Sequence, residues 1–221
     1  MGKLEKLLLC FTVAIFAIIV IQYKNRVEDV NLEVAKDIKK IAITFDDGPE
    51  ETYTEKLLDG LKSRGVKATF FVIGKSIQGK EDLILRMYNE GHLIGNHTYN
   101  HVELNKKSNE EGIKEIEATN KLIENITGYK PEFIRPPFGA WEKDQMNKTN
   151  MFPVMWTVDP LDWKYQNTDY IVKHILSKVK DGDIILLHDI FPTSVDAALI
   201  AIDKLLEEGY EFVTVDELML D

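Results

Sequence analysis

Ile41-Ala42-Ile43-Thr44-Phe45-Asp46-Asp47-Gly48-Pro49 is an apolar run that ends in two adjacent carboxylates and a Gly-Pro turn. It reads as a strand, Ile41–Phe45, breaking into a loop at its carboxyl end. The pattern recurs down the chain. Ala68–Ile73, Leu93–Gly95, Phe133–Arg135, Val154–Val158, Asp183–Leu187 and Glu211–Val215 read as further strands. Helical patterns lie between them at Thr52–Arg64, Glu81–Glu90, Asn109–Ile126, Thr168–Lys180 and Ser194–Glu208. Gly65, Gly91, Gly128, Gly182 and Gly209 follow helical runs, where left-handed caps end helices. Ser108-Asn109-Glu110-Glu111 has the spacing of a capping box.

Repeated strand–helix alternation predicts one α/β domain over residues 39–221, built on a parallel sheet or barrel. In such folds the chemistry gathers at the carboxyl ends of the strands. Five polar clusters fall there: Asp46-Asp47, His97 with His101, Arg135–Gly139, Asp159–Trp163, and His188.

The bulk properties limit the partners. With 221 residues, 44% hydrophobic and 29% charged, the chain has the composition of a folded domain with a substantial core. A net charge of −10 argues against nucleic acid and suits a neutral or cationic substrate better than a polyanion. The single cysteine, Cys10, allows no intrachain disulfide. Leu7 to Ile21 runs apolar without a charge and lacks a small-x-small cleavage site, so residues 1–22 are expected to be an uncleaved membrane anchor and 23–38 a stalk. The α/β domain is then expected outside the cell membrane; the alternative is secretion after cleavage. A monomer is expected.

One carboxylate with two imidazoles, here Asp47 with His97 and His101, makes a three-ligand metal site that leaves a position for water. The second carboxylate of the pair is then free to take a proton. Zinc is the leading metal, and the same donors accept cobalt, nickel, iron or manganese. The i, i+4 spacing of the histidines puts them on one face if that segment is helical. His188, ending an apolar run, reads as a general acid, with Asp162 a candidate to orient its ring. Arg135 in Arg135-Pro136-Pro137-Phe138-Gly139 carries a fixed positive charge suited to holding one of the acids, and a backbone N–H near Phe138 suits an oxyanion. Trp141, Trp156 and Trp163 fit either a core or a sugar-stacking site. His92 is expected to be buried and His174 solvated.

Thr44–Pro49, His97–His101, Arg135–Gly139, Asp159–Trp163 and Leu186–His188 resemble, in order, the five motifs of the polysaccharide deacetylases, the NodB-homology group or carbohydrate esterase family 4. The resemblance covers about residues 38–218. It implies a distorted (β/α) barrel of about seven strands that hydrolyses N-acetyl groups on aminosugar polymers. It implies further that Asp46 is the base, that Asp47, His97 and His101 hold the metal, that Arg135 tethers the base, and that Asp162 partners His188. Leu186 and Trp163 would shape the acetyl pocket. Phe138 departs from the family's usual Tyr, which bears on substrate preference more than on catalysis. The expected substrate is N-acetylglucosamine in peptidoglycan; chitin oligomers, poly-N-acetylglucosamine, spore-cortex muramic acid and acetylxylan are alternatives. Non-catalytic binding of wall glycan is the alternative of another class.

Overall fold

The structure, a computed structural model, describes residues 38–220 together with Gly2, residues 18–24 and Arg26. The domain runs β1 (Lys39–Asp46), α1 (Glu51–Arg64), β2 (Thr69–Val72), α2 (Gly74–Ile77), α3 (Glu81–Asn89), β3 (Leu93–Asn96), α4 (Asn109–Thr127), β4 (Phe133–Ile134) and α5 (Lys143–Thr149). It continues through β5 (Phe152–Pro153), α6 (Asp162–Tyr165), α7 (Thr168–Lys178), β6 (Ile184–His188), α8 (Pro192–Glu207), β7 (Tyr210–Phe212) and α9 (Val215–Leu220). Strand pairing is parallel in the order β5-β4-β3-β2-β1-β6, and β7 pairs with the first residues of β1.

β1 is buried from Ile41 to Asp46, as befits a parallel strand covered on both faces. Its side chains alternate with period two. Ile41, Ile43 and Phe45 join the main core with Leu57 and Leu61 of α1 and Ala198 of α8. Ala42 belongs instead to a second cluster with Phe71 and Val154, inside the curved sheet. Thr44 and Asp46 share the parity of Ala42, so they too face inward.

One stretch of chain joins the outer strands. Val154 N donates to Ile134 O at 2.8 Å, beside β4, and four residues later Leu186 N donates to Val158 O at 2.9 Å, beside β6. The seven-stranded parallel sheet thus curves back on itself through a single bridge, Val158 to Ile185, with β7 off the main path, an arrangement consistent with the expected distorted barrel. The strand predicted at Val154–Val158 is corrected to Phe152–Pro153, with only a bridge at Val158. The reason is local: Arg135 Nε donates to Val154 O and Nη2 to Met155 O, each at 3.3 Å, which turns these carbonyls away from a continuous ladder.

The helix limits follow the predicted signals. Ser108 and Glu111 form a reciprocal capping box at the start of α4, and Gly65 and Gly128 close α1 and α4 at φ 66° and 74°. The last long helix begins two residues earlier than predicted, with Pro192 in its first turn. Residues 18–24 are helical; residues 1 and 3–17 of the predicted anchor, including Cys10, and residues 25 and 27–37 of the stalk lie outside the described residues. Among the described residues no helix is long and apolar enough to cross a membrane.

Candidate active site

Parity and register bring the chemistry to one rim. Asp46, the last residue of β1, pairs in register with His188, the last residue of β6, and Thr44 pairs with Leu186 two residues below. The chain then turns sharply, with Asp47 at φ 76°, a left-handed conformation that few non-glycine residues adopt. His97 follows β3 directly. Its loop is built by Asn96, whose Oδ1 accepts from Thr98 N (2.7 Å) while Nδ2 donates to Ile116 O (2.8 Å) and Asn120 Oδ1 (2.7 Å) on α4. Thr98 and His101 stand at φ 61° and 57°, so the two histidines sit on a loop and not on one face of a helix.

That loop aims both imidazoles at Asp47. His97 Nε2 and His101 Nε2 each lie 3.4 Å from Asp47 Oδ1, and the three donor atoms all fall within 4.8 Å of one another. His97 Nδ1 sits 2.5 Å from Arg135 O. A carbonyl only accepts, so Nδ1 carries the hydrogen and Nε2 presents a lone pair. Asp47 Oδ1 is buried without a hydrogen-bond partner. An unpartnered carboxylate oxygen facing imidazole nitrogens is the donor set a divalent cation satisfies; the residues fit a metal ion. Burial works against the charge on Asp47, but the close approach of His97, with the charge of His188 and His101, outweighs it and holds the carboxyl below its usual value. Burial, then the charge of His97, lowers His101 against the opposing pull of Asp47 and Asp46.

Asp46 is held apart from this cluster. Arg135, fully buried, donates from Nη1 to Asp46 Oδ1 at 2.8 Å and to Thr44 Oγ1 at 2.6 Å, and its guanidinium lies 4.3 Å from the centre of the Phe71 ring. Asp46 Oδ2 points the other way and lies 3.8 Å from His97 Nε2. Across the site, Asp162 Oδ1 accepts from His188 Nδ1 at 2.8 Å and Oδ2 accepts from His188 N at 2.9 Å. Burial alone would lower His188, but the hydrogen bond and charge of Asp162, aided by Asp46 and Asp47, push it up to about 9.

Asp46, Asp47, His97, His101 and His188 line a pocket of about 450 Å³, with Trp156, Trp163 and Leu186 among its walls. Phe138 stands at φ 60°, is 69% exposed, and turns its ring edge-on to His101 at 4.8 Å. All ten residues singled out from the sequence as catalytic, metal-binding or pocket-forming therefore converge, directly or through one partner. His92 is buried, as expected; His174 is half-buried and borders the Tyr170 ring.

Sequence reasoning missed Thr44, Asn96 and Asp189. Thr44 was legible from parity, two residues before Asp46 inside an apolar run. Asp189 follows His188 and is fully buried; burial pushes its carboxyl up to about 7 against the hydrogen bond from Thr54.

Comparison with known proteins adds a family and relatives. A family model described as polysaccharide deacetylase matches residues 33–155. The chain is similar to the peptidoglycan-N-acetylglucosamine deacetylase PgdA of Listeria monocytogenes, 43% identical over 83% of this chain and 40% of that protein. It is similar to the peptidoglycan-N-acetylmuramic acid deacetylase PdaC of Bacillus subtilis, 43% identical over 81% of this chain and 38% of that protein. The solved structure of PdaC superposes with a TM-score of 0.81 at 42% identity, covering 83% of this chain and 91% of the solved one. A peptidoglycan-N-acetylglucosamine deacetylase of Bacillus cereus is 39% identical over 86% of this chain and 92% of its own length. The chain thus spans about two-fifths of the length of PgdA and of PdaC.

Proposed function

The chain belongs to the polysaccharide deacetylase family, and from that premise we propose that it is a metal-dependent hydrolase removing N-acetyl groups from peptidoglycan, N-acetylglucosamine being its first target. The observation that carries this reading is the convergence of Asp47, His97 and His101 on one centre, between the tethered carboxylate of Asp46 and the Asp162–His188 pair. A protein that only bound wall glycan would need none of these proton-transfer groups in register.

Asp47, His97 and His101 would hold a divalent ion, zinc being the leading candidate. When bound, such an ion supplies Lewis-acid polarisation of a carbonyl and a lowered pKa for water. Asp46 is the base. Its Oδ1 is occupied by Arg135, which leaves Oδ2 to accept the proton of the water that attacks the acetyl carbon. The backbone N–H of Phe138, on the turn that carries its ring to the rim, steadies the oxyanion. His188 is the acid. Asp162 occupies Nδ1, so the proton is delivered from Nε2 to the nitrogen as the C–N bond breaks. Acetate and a free amine leave. Trp163 and Leu186 wall the space for the acetyl methyl.

The sugar is the finer part of the proposal, because PgdA and PdaC are named for different ones. We assign the apolar N-terminal segment to membrane attachment, with the catalytic domain on the outer face as a monomer. The test is acetate release from peptidoglycan, chitin oligomers and acetylxylan, with and without chelator. Chelator-sensitive release from peptidoglycan is expected. Release that survives chelation, or none from any N-acetylated polymer, would overturn the reading.

A further inference from the structure

Behind the catalytic rim sits an acid that none of the steps above employs. Asp189 is fully buried and follows His188 at the end of β6. One carboxyl oxygen, Oδ2, accepts a short hydrogen bond from Thr54 Oγ1; the other, Oδ1, has no partner. The carboxyl is packed against the turn that presents Asp47. A Cβ placed on Gly48 would lie 2.4 Å from both Asp189 oxygens, so the carboxyl occupies the volume a side chain at 48 would need.

The same turn is gripped at two more points. Glu50 N donates to Thr54 Oγ1 at 2.8 Å, so the Thr54 hydroxyl links Asp189 to the backbone of the turn. Ile73 N donates to Gly48 O at 3.0 Å from the end of β2. Asp47 meanwhile stands at φ 76°. A non-glycine residue in that region is strained and persists only where its surroundings over-determine it. Thr54 and Asp189 are surroundings of that kind, and they tie the turn to the strand that carries His188.

We propose that Asp189, acting through Thr54 and Gly48, is a positioning residue that fixes the Asp46–Asp47 turn and thereby the geometry of the Asp47–His97–His101 cluster. This rests on the reading of Asp47 as a metal ligand. Its test is therefore zinc affinity, measured by competition with a chromophoric chelator, alongside melting temperature and the kcat and KM of acetate release.

Asp189→Ala and Thr54→Val are expected to weaken zinc binding about tenfold or more, the cost typical of losing a partner behind a ligand, and to lower kcat with little change in KM. Asp189→Asn keeps an acceptor for Thr54 and is expected to recover most of the affinity. Zinc affinities of Asp189→Ala and Thr54→Val within about threefold of the unmodified protein, with their folds intact, would overturn the proposal. So would an Asp189→Asn variant as impaired as Asp189→Ala, or affinity losses that merely track unfolding in all three. If the unmodified protein binds zinc yet releases no acetate, the deacetylase reading fails, while the affinity series still judges the role of Asp189.

Discussion

Replacing Asp162 by Asn keeps the shape of the group beside His188 and removes its charge. Asp162 is fully buried at the start of α6 and contacts His188 through both carboxylate oxygens. That contact is the chief reason His188 rises from 6.5 to about 9, since burial alone would lower it. The rise corresponds to about 3 kcal/mol favouring the protonated ring, and the His188 side chain is only 13% exposed, so solvent screening is slight. Because the folded value lies above the unfolded one, this stabilisation is fully present below pH 6.5 and is lost as pH rises through about 9. In Asp162→Asn the ring is expected to titrate near or below 6.5, its ordinary value. The acid form would then be scarce at pH 8, about one molecule in thirty, and kcat/KM there should fall at least about thirtyfold. The measurement is histidine NMR on chelator-treated protein, paired with the pH profile of kcat/KM. A bound dication would lower the values in both proteins, so their difference is the quantity compared. If His188 still titrates near 9 in Asp162→Asn, or the alkaline limb does not move, Asp162 does not tune the acid.

Three further outcomes follow. Asp46→Asn should keep its zinc stoichiometry but lower kcat about a hundred- to ten-thousand-fold; metal analysis and acetate release check this, and near-normal turnover would remove Asp46 as the base. Arg135→Met strands the buried Asp46 carboxylate and should cost about 3–5 kcal/mol in urea denaturation; a loss below about 1 kcal/mol would mean that the pair is poorly coupled. His92 is buried, accepts from Ala68 N at 3.1 Å, and is held to about 4 by burial and then Lys67 against Glu90. Its folded value is depressed, so stability is present above pH 6.5 and falls by up to about 3 kcal/mol as pH drops toward 4; denaturation curves of His92→Gln should flatten over that range, and an unchanged acid dependence would contradict the assignment.

The barrel and its reactive rim were legible because parallel strands announce themselves as apolar runs and their carboxyl ends as polar breaks. Asp46, His97, Arg135 and His188 each stand at or just beyond such a break. Local hydrogen bonding decided what was not legible. The strand expected at Val154–Val158 yields two carbonyls to Arg135, a residue about twenty positions away that no periodicity connects to it. The histidine loop owes its course to Asn96 and to left-handed Thr98 and His101, and nothing in the spacing distinguishes that from a helical turn. Gly74–Ile77, Lys143–Thr149 and Asp162–Tyr165 are too short to carry a helical period. Asp189 went unread because an acid beside a histidine does not declare which way it points.

The central claim is that one divalent ion sits among Asp47, His97 and His101, and zinc-edge X-ray absorption on the zinc-loaded protein tests it most directly. Two imidazole nitrogens at about 2.0–2.1 Å and a carboxylate oxygen at about 2.0–2.2 Å are expected, with one imidazole lost in His101→Ala. A spectrum with fewer than two imidazoles, or one that His101→Ala leaves unchanged, would contradict the account.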